Sequence, residues 1–157
     1  DRMDFNVGGI YRHINNPYIN KLILNQRKKS IASNDSFYTP KGKKSAKDIL
    51  DGIKKNSSIV LLIDQKDSAG EDVVFFNSVT KTQTGFLKIA KKHKMQIIPV
   101  QNTRNNLNNF TLKFYPPLKP FKNHLTDKQA MEEIHKIIEE WIKENPSHYF
   151  LQHNRFS

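Results

Sequence analysis

The chain contains no cysteine. That excludes a disulfide framework and any thiolate metal site, and it permits a reducing compartment without requiring one. Long apolar runs are also missing. The longest, Ile59–Ile63, is strand length, far short of the roughly 20 residues that span a bilayer. No segment has the character of a signal-peptide core. Neither a G-x-S-x-G nucleophile elbow nor a phosphate-cradling P-loop is present. Acidic residues are scarce, 15 Asp+Glu against 26 Lys+Arg, for a net charge of +11. Such a balance favours polyanionic partners: nucleic acid, an anionic membrane surface, phosphorylated lipid or an acidic protein. The plainer reading is that many of these lysines only solvate helix faces.

What is there fits one domain or a large piece of one, because 157 residues suffice to bury a core. Phe5–Tyr11 reads as a short strand weakened by Gly8-Gly9. Asn15-Asn16-Pro17 starts a helix, along which Tyr18, Ile19, Leu22 and Ile23 recur up to Arg27-Lys28-Lys29. Ser45 is placed to cap a helix carrying Ile49, Leu50 and Ile53. Ile59–Ile63 is expected to be a buried strand that delivers Asp64 to a loop, and Val73–Phe76 a further strand. Thr82 to Lys92 reads as a helix, Met95–Val100 as a buried strand, Asn102–Asn109 as a turn and Phe110–Tyr115 as a strand. Thr126 with Gln129 forms a capping-box pattern. It opens a helix with Ala130, Ile134, Ile137 and Trp141 on one stripe and Met131, Ile138 and Ile142 beside it. Strands alternating with helices predict an α/β fold, a layered and mostly parallel sheet flanked by helices.

The residues able to carry chemistry are few. In open α/β sheets ligands bind beyond the carboxyl ends of strands, which singles out Asp64; the competing reading is a helix cap or a loop acid. Arg12 and Arg27 offer the planar donor fork that suits carboxylate and phosphate, although Arg27 also suits a helix C-terminus for its charge alone. The histidines include His93, His124, His135, His148 and His153, none at the spacing of a zinc pair. His135 and Glu140 match H-x-x-x-x-E, but five residues turn a helix by about 140°, so the two side chains face apart. A basic nucleic-acid-binding or nuclease-like module is the alternative class, with Asp64, Asp67 and Asp72 as metal-binding acids. The basic residues lack the interleaved aromatics of a stacking platform.

Four ordered segments resemble the lauroyl/myristoyl acyltransferases of lipid A biosynthesis, within the lysophospholipid acyltransferase group. V-G-G-I-Y-R-H-I-N-N-P-Y (residues 7–18) is similar to a Y-R…N-P element, and Arg27 falls where the family has a functional arginine. I-D-Q-K…V-V-F-F-N…T-x-T-x-T-G (63–85) is similar to a D-Q-x…F-F-G…T-x-x-G block. P-S-H-Y-F-L-Q-H-N-R-F (146–156) is similar to P-x-x-Y-x-W-x-H-x-R-F. Two positions depart: Leu151 replaces a Trp, and Asn77 replaces the Gly after the Phe pair, which puts that turn in question.

The resemblance implies transfer of a fatty acyl chain from acyl carrier protein to a hydroxyl of a phosphorylated lipid A precursor. The work is expected at the cytoplasmic face of a bacterial inner membrane, without a cofactor or metal and without nucleic acid. Arg27 and Asp64 are implied as supporting catalytic residues, Asp64 fixing the Arg27 fork. Arg12, Lys28 and Lys29 are implied as substrate-binding, with Lys41, Lys43, Lys44, Lys91, Lys92 and Lys94 adding attraction to the acidic carrier and anionic lipid. The family's H-x-x-x-x-D/E base pair belongs ahead of the Y-R element. Residues 1–157 are therefore expected to be the C-terminal part of a single acyltransferase domain, inactive alone.

Overall fold

The computed structural model describes residues 6–30, 36–118, 125–149 and Phe156. His124, Leu151 and His153 lie outside them, as does the side chain of Lys43. Within the described residues the architecture is mixed α/β, with four α-helices, one parallel three-stranded sheet and two antiparallel pairs. The expected parallel layer is thus real but small. The chain divides into two compact units, Asp1–Leu62 and Ile63–Ser157.

In the first unit, β1 (Val7–Tyr11), α1 (Pro17–Ser30), β2 (Phe37–Pro40), α2 (Lys43–Lys54) and β3 (Ser58–Val60) alternate. The strands pair in the order β2-β1-β3, both pairings parallel, as helical crossovers require. Gly8 and Gly9 do not break β1; they make room for aromatic rings. A Cβ at Gly8 would collide with the Phe37 ring, one at Gly9 with Tyr38, and one at Gly52 of α2 with Phe37 again. Asn16 caps α1, its Oδ1 accepting from the N–H groups of Tyr18 (3.0 Å) and Ile19 (3.2 Å), with Pro17 at the first helical position. The cap of α2 is Gly42 rather than Ser45, whose hydroxyl donates to the Gly42 carbonyl at 2.6 Å.

The expected buried strand Ile59–Ile63 is corrected. β3 ends at Val60 and pairs only with Val7–Gly9 of β1. As the edge of a three-stranded sheet it leaves Val60 55 % and Leu62 74 % exposed.

The second unit contains β4 (Glu71–Phe75), β5 (Ser78–Thr82), α3 (Gly85–Lys92), β6 (Val100–Arg104), β7 (Phe110–Phe114) and α4 (Asp127–Glu144). The segment expected to enter a helix at Thr82 is instead the second strand of a hairpin. Thr80 and Thr82 alternate with exposed Val79 and Lys81 and point inward, the period-two signature of a strand. The Thr80 hydroxyl donates to the Val73 carbonyl at 3.3 Å, which satisfies it inside. Phe76 (φ 48°) and Asn77 (φ 58°) form the two-residue turn between Phe75 and its partner Ser78. Both central residues in the left-handed region are what a tight hairpin needs, and Asn tolerates that region well. Asn77 therefore keeps the turn that its replacement of Gly had put in question.

α4 begins with the predicted capping box, the Gln129 N–H donating to Thr126 Oγ1 (3.2 Å) and the Thr126 N–H to Gln129 Oε1 (2.9 Å). Its Ala130, Met131 and Ile134 close a core with Val73 and Leu87, against which Ile63, Phe86, Ile97 and Ile138 pack. Met95–Val100 is not a strand. Pro99 lacks an N–H donor, so only the isolated Ile97–Leu118 bridge precedes β6. The Asn-rich turn is correspondingly shorter than expected, because β6 continues to Arg104.

Candidate functional site

A parallel sheet whose chain order reverses at β1 opens a crevice beyond the carboxyl ends of its strands, between β1 and the strand added on the other side. The sequence places Tyr11, Arg12 and His13 at that end of β1. Lys41 follows β2, and its N–H donates to the Tyr11 carbonyl at 2.8 Å, closing the rim. The His13 ring stands edge-on to Tyr11, 5.3 Å between centroids at 67°. The Arg27 guanidinium lies over the Tyr11 ring, 5.7 Å from its centroid. Attraction between a cation and the ring's negative face is worth about 0.5–1 kcal/mol at an exposed site. It fixes where Arg27 sits without consuming its hydrogen-bond donors.

The structure therefore brings Arg27 to the end of β1 that carries Arg12. Arg12, Arg27, Lys28 and Lys29 are all exposed, so the guanidinium over Tyr11 keeps its donor fork accessible to an anion. Tyr11 is the residue the sequence reading missed, although it stands inside the Y-R element beside Arg12. A separate surface pocket beside α2 is lined by Tyr38, Asp48 and Asp51 among others. Its acids make it a poor anion site, and Asp48 already accepts from the buried Thr39 hydroxyl at 2.6 Å.

Asp64 stands in the second unit, in a bend four residues beyond the end of β3. It is not at a strand terminus, because β3 is shorter than expected. Its side chain is half-buried, and its backbone carbonyl accepts from the Tyr149 hydroxyl at 3.4 Å. The following loop folds back on β5: the Asp67 N–H donates to the Lys81 carbonyl (3.0 Å), and the Gly70 N–H to the Asp67 carbonyl (2.7 Å). Asp72 forms a cross-strand ion pair with Lys81 at 2.8 Å. Among the described residues no group of three or more His, Cys, Asp or Glu is placed to hold a metal ion. Asp64, Asp67 and Asp72 thus do not assemble as the nuclease-like alternative requires.

The H-x-x-x-x-E match on α4 separates as its spacing predicts. His135 is fully buried against Phe75 and sits 2.7 Å from the Val74 carbonyl through Nδ1. A carbonyl only accepts, so Nδ1 carries the proton. Glu140 is exposed and takes a bond from Lys143 Nζ at 2.7 Å. Lys91, Lys92 and Lys94 lie exposed at the end of α3. No described helix is long and apolar enough to cross a membrane.

No curated protein matches the sequence. The family model of the bacterial lipid A biosynthesis acyltransferases matches residues 3–157. A match over essentially the whole chain, with the Tyr11-Arg12 element, Arg27 and the Asp64 loop inside it, shows that the chain belongs to that acyltransferase family.

Proposed function

We propose that the chain serves the transfer of a fatty acyl group from acyl carrier protein to a hydroxyl of a phosphorylated lipid A precursor, at the cytoplasmic face of the inner membrane. In such a step the acceptor oxygen attacks the thioester carbonyl, a C–O bond forms, the C–S bond breaks and the carrier leaves as the thiol. Negative charge develops on the carbonyl oxygen and is already present on the acceptor phosphates. The observation that carries the reading is the Arg27 guanidinium held over Tyr11 at the carboxyl end of β1.

In this reading Arg27 binds an acceptor phosphate or steadies the oxyanion, and Arg12, Lys28 and Lys29 hold the remaining anionic head. Asp64 has a supporting role in the same reaction. The other lysines raise the encounter rate with acidic carrier protein and anionic lipid more than they set specificity. No cofactor beyond the acyl donor takes part. The general base in this reading is the histidine of the family's H-x-x-x-x-D/E pair, which belongs ahead of the Tyr11-Arg12 element; the His135…Glu140 match on α4 does not supply it, because its two side chains face apart.

The test is acyl transfer from acyl carrier protein by the enzyme that contains the base pair. Arg27→Ala and Asp64→Ala should each lower turnover by about 10²-fold, the order seen when an oxyanion donor is removed, with unchanged circular dichroism. Arg27→Lys should recover only part of it, because an ammonium lacks the fork. Near-normal turnover in Arg27→Ala would sink the assignment.

A further inference from the structure

The β6–β7 hairpin carries its apolar side outward. Opposed residues of an antiparallel pair share a face, so Val100, Phe110, Leu112 and Phe114 stand on one side with Asn102 and Arg104. Gln101, Thr103, Thr111 and Lys113 stand on the other. A ribbon with one covered face normally turns its apolar side inward. Here the polar side is the one turned to α4. The Tyr115 hydroxyl donates to Gln101 Oε1 at 2.7 Å, and the Tyr115 ring packs against Trp141, centroids 5.0 Å apart. Gln101 and Thr103 are half-buried, whereas all four apolar residues are exposed.

The turn between the strands presents Leu107, also exposed, and bonds to itself. The Asn105 N–H donates to the Asn109 carbonyl at 2.9 Å. The Asn108 and Asn109 N–H groups donate to Asn106 Oδ1 (3.2 and 3.0 Å). Arg104 donates through Nε to the Asn106 carbonyl (3.2 Å) and through Nη2 to the Leu107 carbonyl (2.8 Å). Water satisfies the backbone of an ordinary surface loop. A turn that leaves water must satisfy it internally, and these bonds do so around the apolar Leu107.

We propose that the β6–β7 hairpin docks this protein on an anionic bilayer, Leu107, Phe110, Leu112 and Phe114 entering the acyl boundary while Arg104 meets lipid phosphate. The proposal rests on the membrane placement proposed above and names the element that makes the contact. Charge selects lipid over a second copy of the chain. Residues 73–126 contain no Asp or Glu but include Arg104, Lys113 and the exposed Lys91, Lys92 and Lys94. A surface of that sign is drawn to anionic lipid and repels its own kind. Arg104 lies over Phe110, 5.5 Å from the ring centroid, so a cation stands beside the apolar face, as residues at a membrane boundary do.

The lack of cysteine allows a direct test. Leu107→Cys gives the chain a single thiol, to be labelled with an environment-sensitive nitrobenzoxadiazole dye. Glu133→Cys, at an exposed position of α4, is the control. On vesicles of phosphatidylethanolamine and phosphatidylglycerol, the dye at position 107 should shift to the blue and be quenched by doxyl lipid, while the dye at position 133 stays aqueous. Vesicles of phosphatidylcholine alone should bind about tenfold more weakly. In unlabelled chain, Leu112→Gln and Phe114→Gln should each lower partition onto the anionic vesicles about tenfold, with unchanged circular dichroism. An aqueous dye at position 107 on chain that still sediments with the vesicles overturns the inference and leaves the membrane placement standing. Chain that stays in solution overturns both. A blue-shifted dye without lipid assigns the face to protein and overturns the inference too: to a second copy if the shift fades on dilution, to another segment of this chain if it does not.

Discussion

The backbone N–H of Phe76 donates to Glu139 Oε1 at 2.8 Å, so a half-buried carboxylate on α4 holds the tip of the β4–β5 hairpin. A charged acceptor makes this one of the stronger hydrogen bonds available to a backbone amide. Glu139→Ala should destabilise the chain by about 1.5–3 kcal/mol, and Glu139→Gln, which keeps an acceptor, by less. Urea unfolding of the two variants gives the comparison; equal midpoints with the wild type would mean that the bond is replaced by water at no cost.

At the same turn, Asn77 has φ 58°. Asn77→Gly should be neutral or slightly stabilising, whereas Asn77→Val forces a β-branched residue into a region it avoids and should cost on the order of 1–3 kcal/mol. Thermal melts of both variants measure it, and a Val variant as stable as the Gly one would disprove the turn geometry.

Gly70 lies against the backbone of Thr82, into which an added Cβ would run. Backbone cannot swing aside as a side chain does. Gly70→Ala is expected to destabilise the Asp64 loop and the start of the hairpin by about 1–3 kcal/mol, seen as faster amide exchange at Asp67, whose N–H bonds to the Lys81 carbonyl.

Tyr11→Leu removes the aromatic face beneath Arg27 while Tyr11→Phe retains it. If that face positions the guanidinium, the Leu variant should lose about threefold to fivefold in acyl transfer, the value of an exposed cation–π contact, and the Phe variant almost nothing. Identical losses in both would point to the phenol hydroxyl instead.

The elements that local chemistry specifies were readable in the sequence. Asn16-Pro17 and the Thr126–Gln129 box mark helix starts with side chains that satisfy their own helix, and the buried face of α4 takes Ala130 and Ile134 from the expected stripe and Met131 from beside it, together with His135. Two of the differences arise because burial depends on neighbours. Ile59–Ile63 is apolar enough for a central strand, yet a single pairing partner leaves it at an edge. Thr80 and Thr82 look like a polar helix start, yet they lie inside because Thr80 Oγ1 finds the Val73 carbonyl. Of the site, the arginines were visible as residue types. Tyr11 beneath Arg27 and Tyr149 against Asp64 were not, since each depends on a contact made across 16 or 85 positions that no local pattern encodes.

The β6–β7 pair has a consequence for handling the protein. Its register puts Val100, Phe110, Leu112 and Phe114 on one face, with Phe114 69 % exposed and Leu107 81 % exposed at the turn. Neither strand has a second neighbour among the described residues. A ribbon with open edges and an apolar face is a template for strand-by-strand stacking between molecules. Arg104, over Phe110, and Lys113, over Tyr115, are the charges that oppose it, so high salt, which screens them, should be the condition under which purified chain precipitates first.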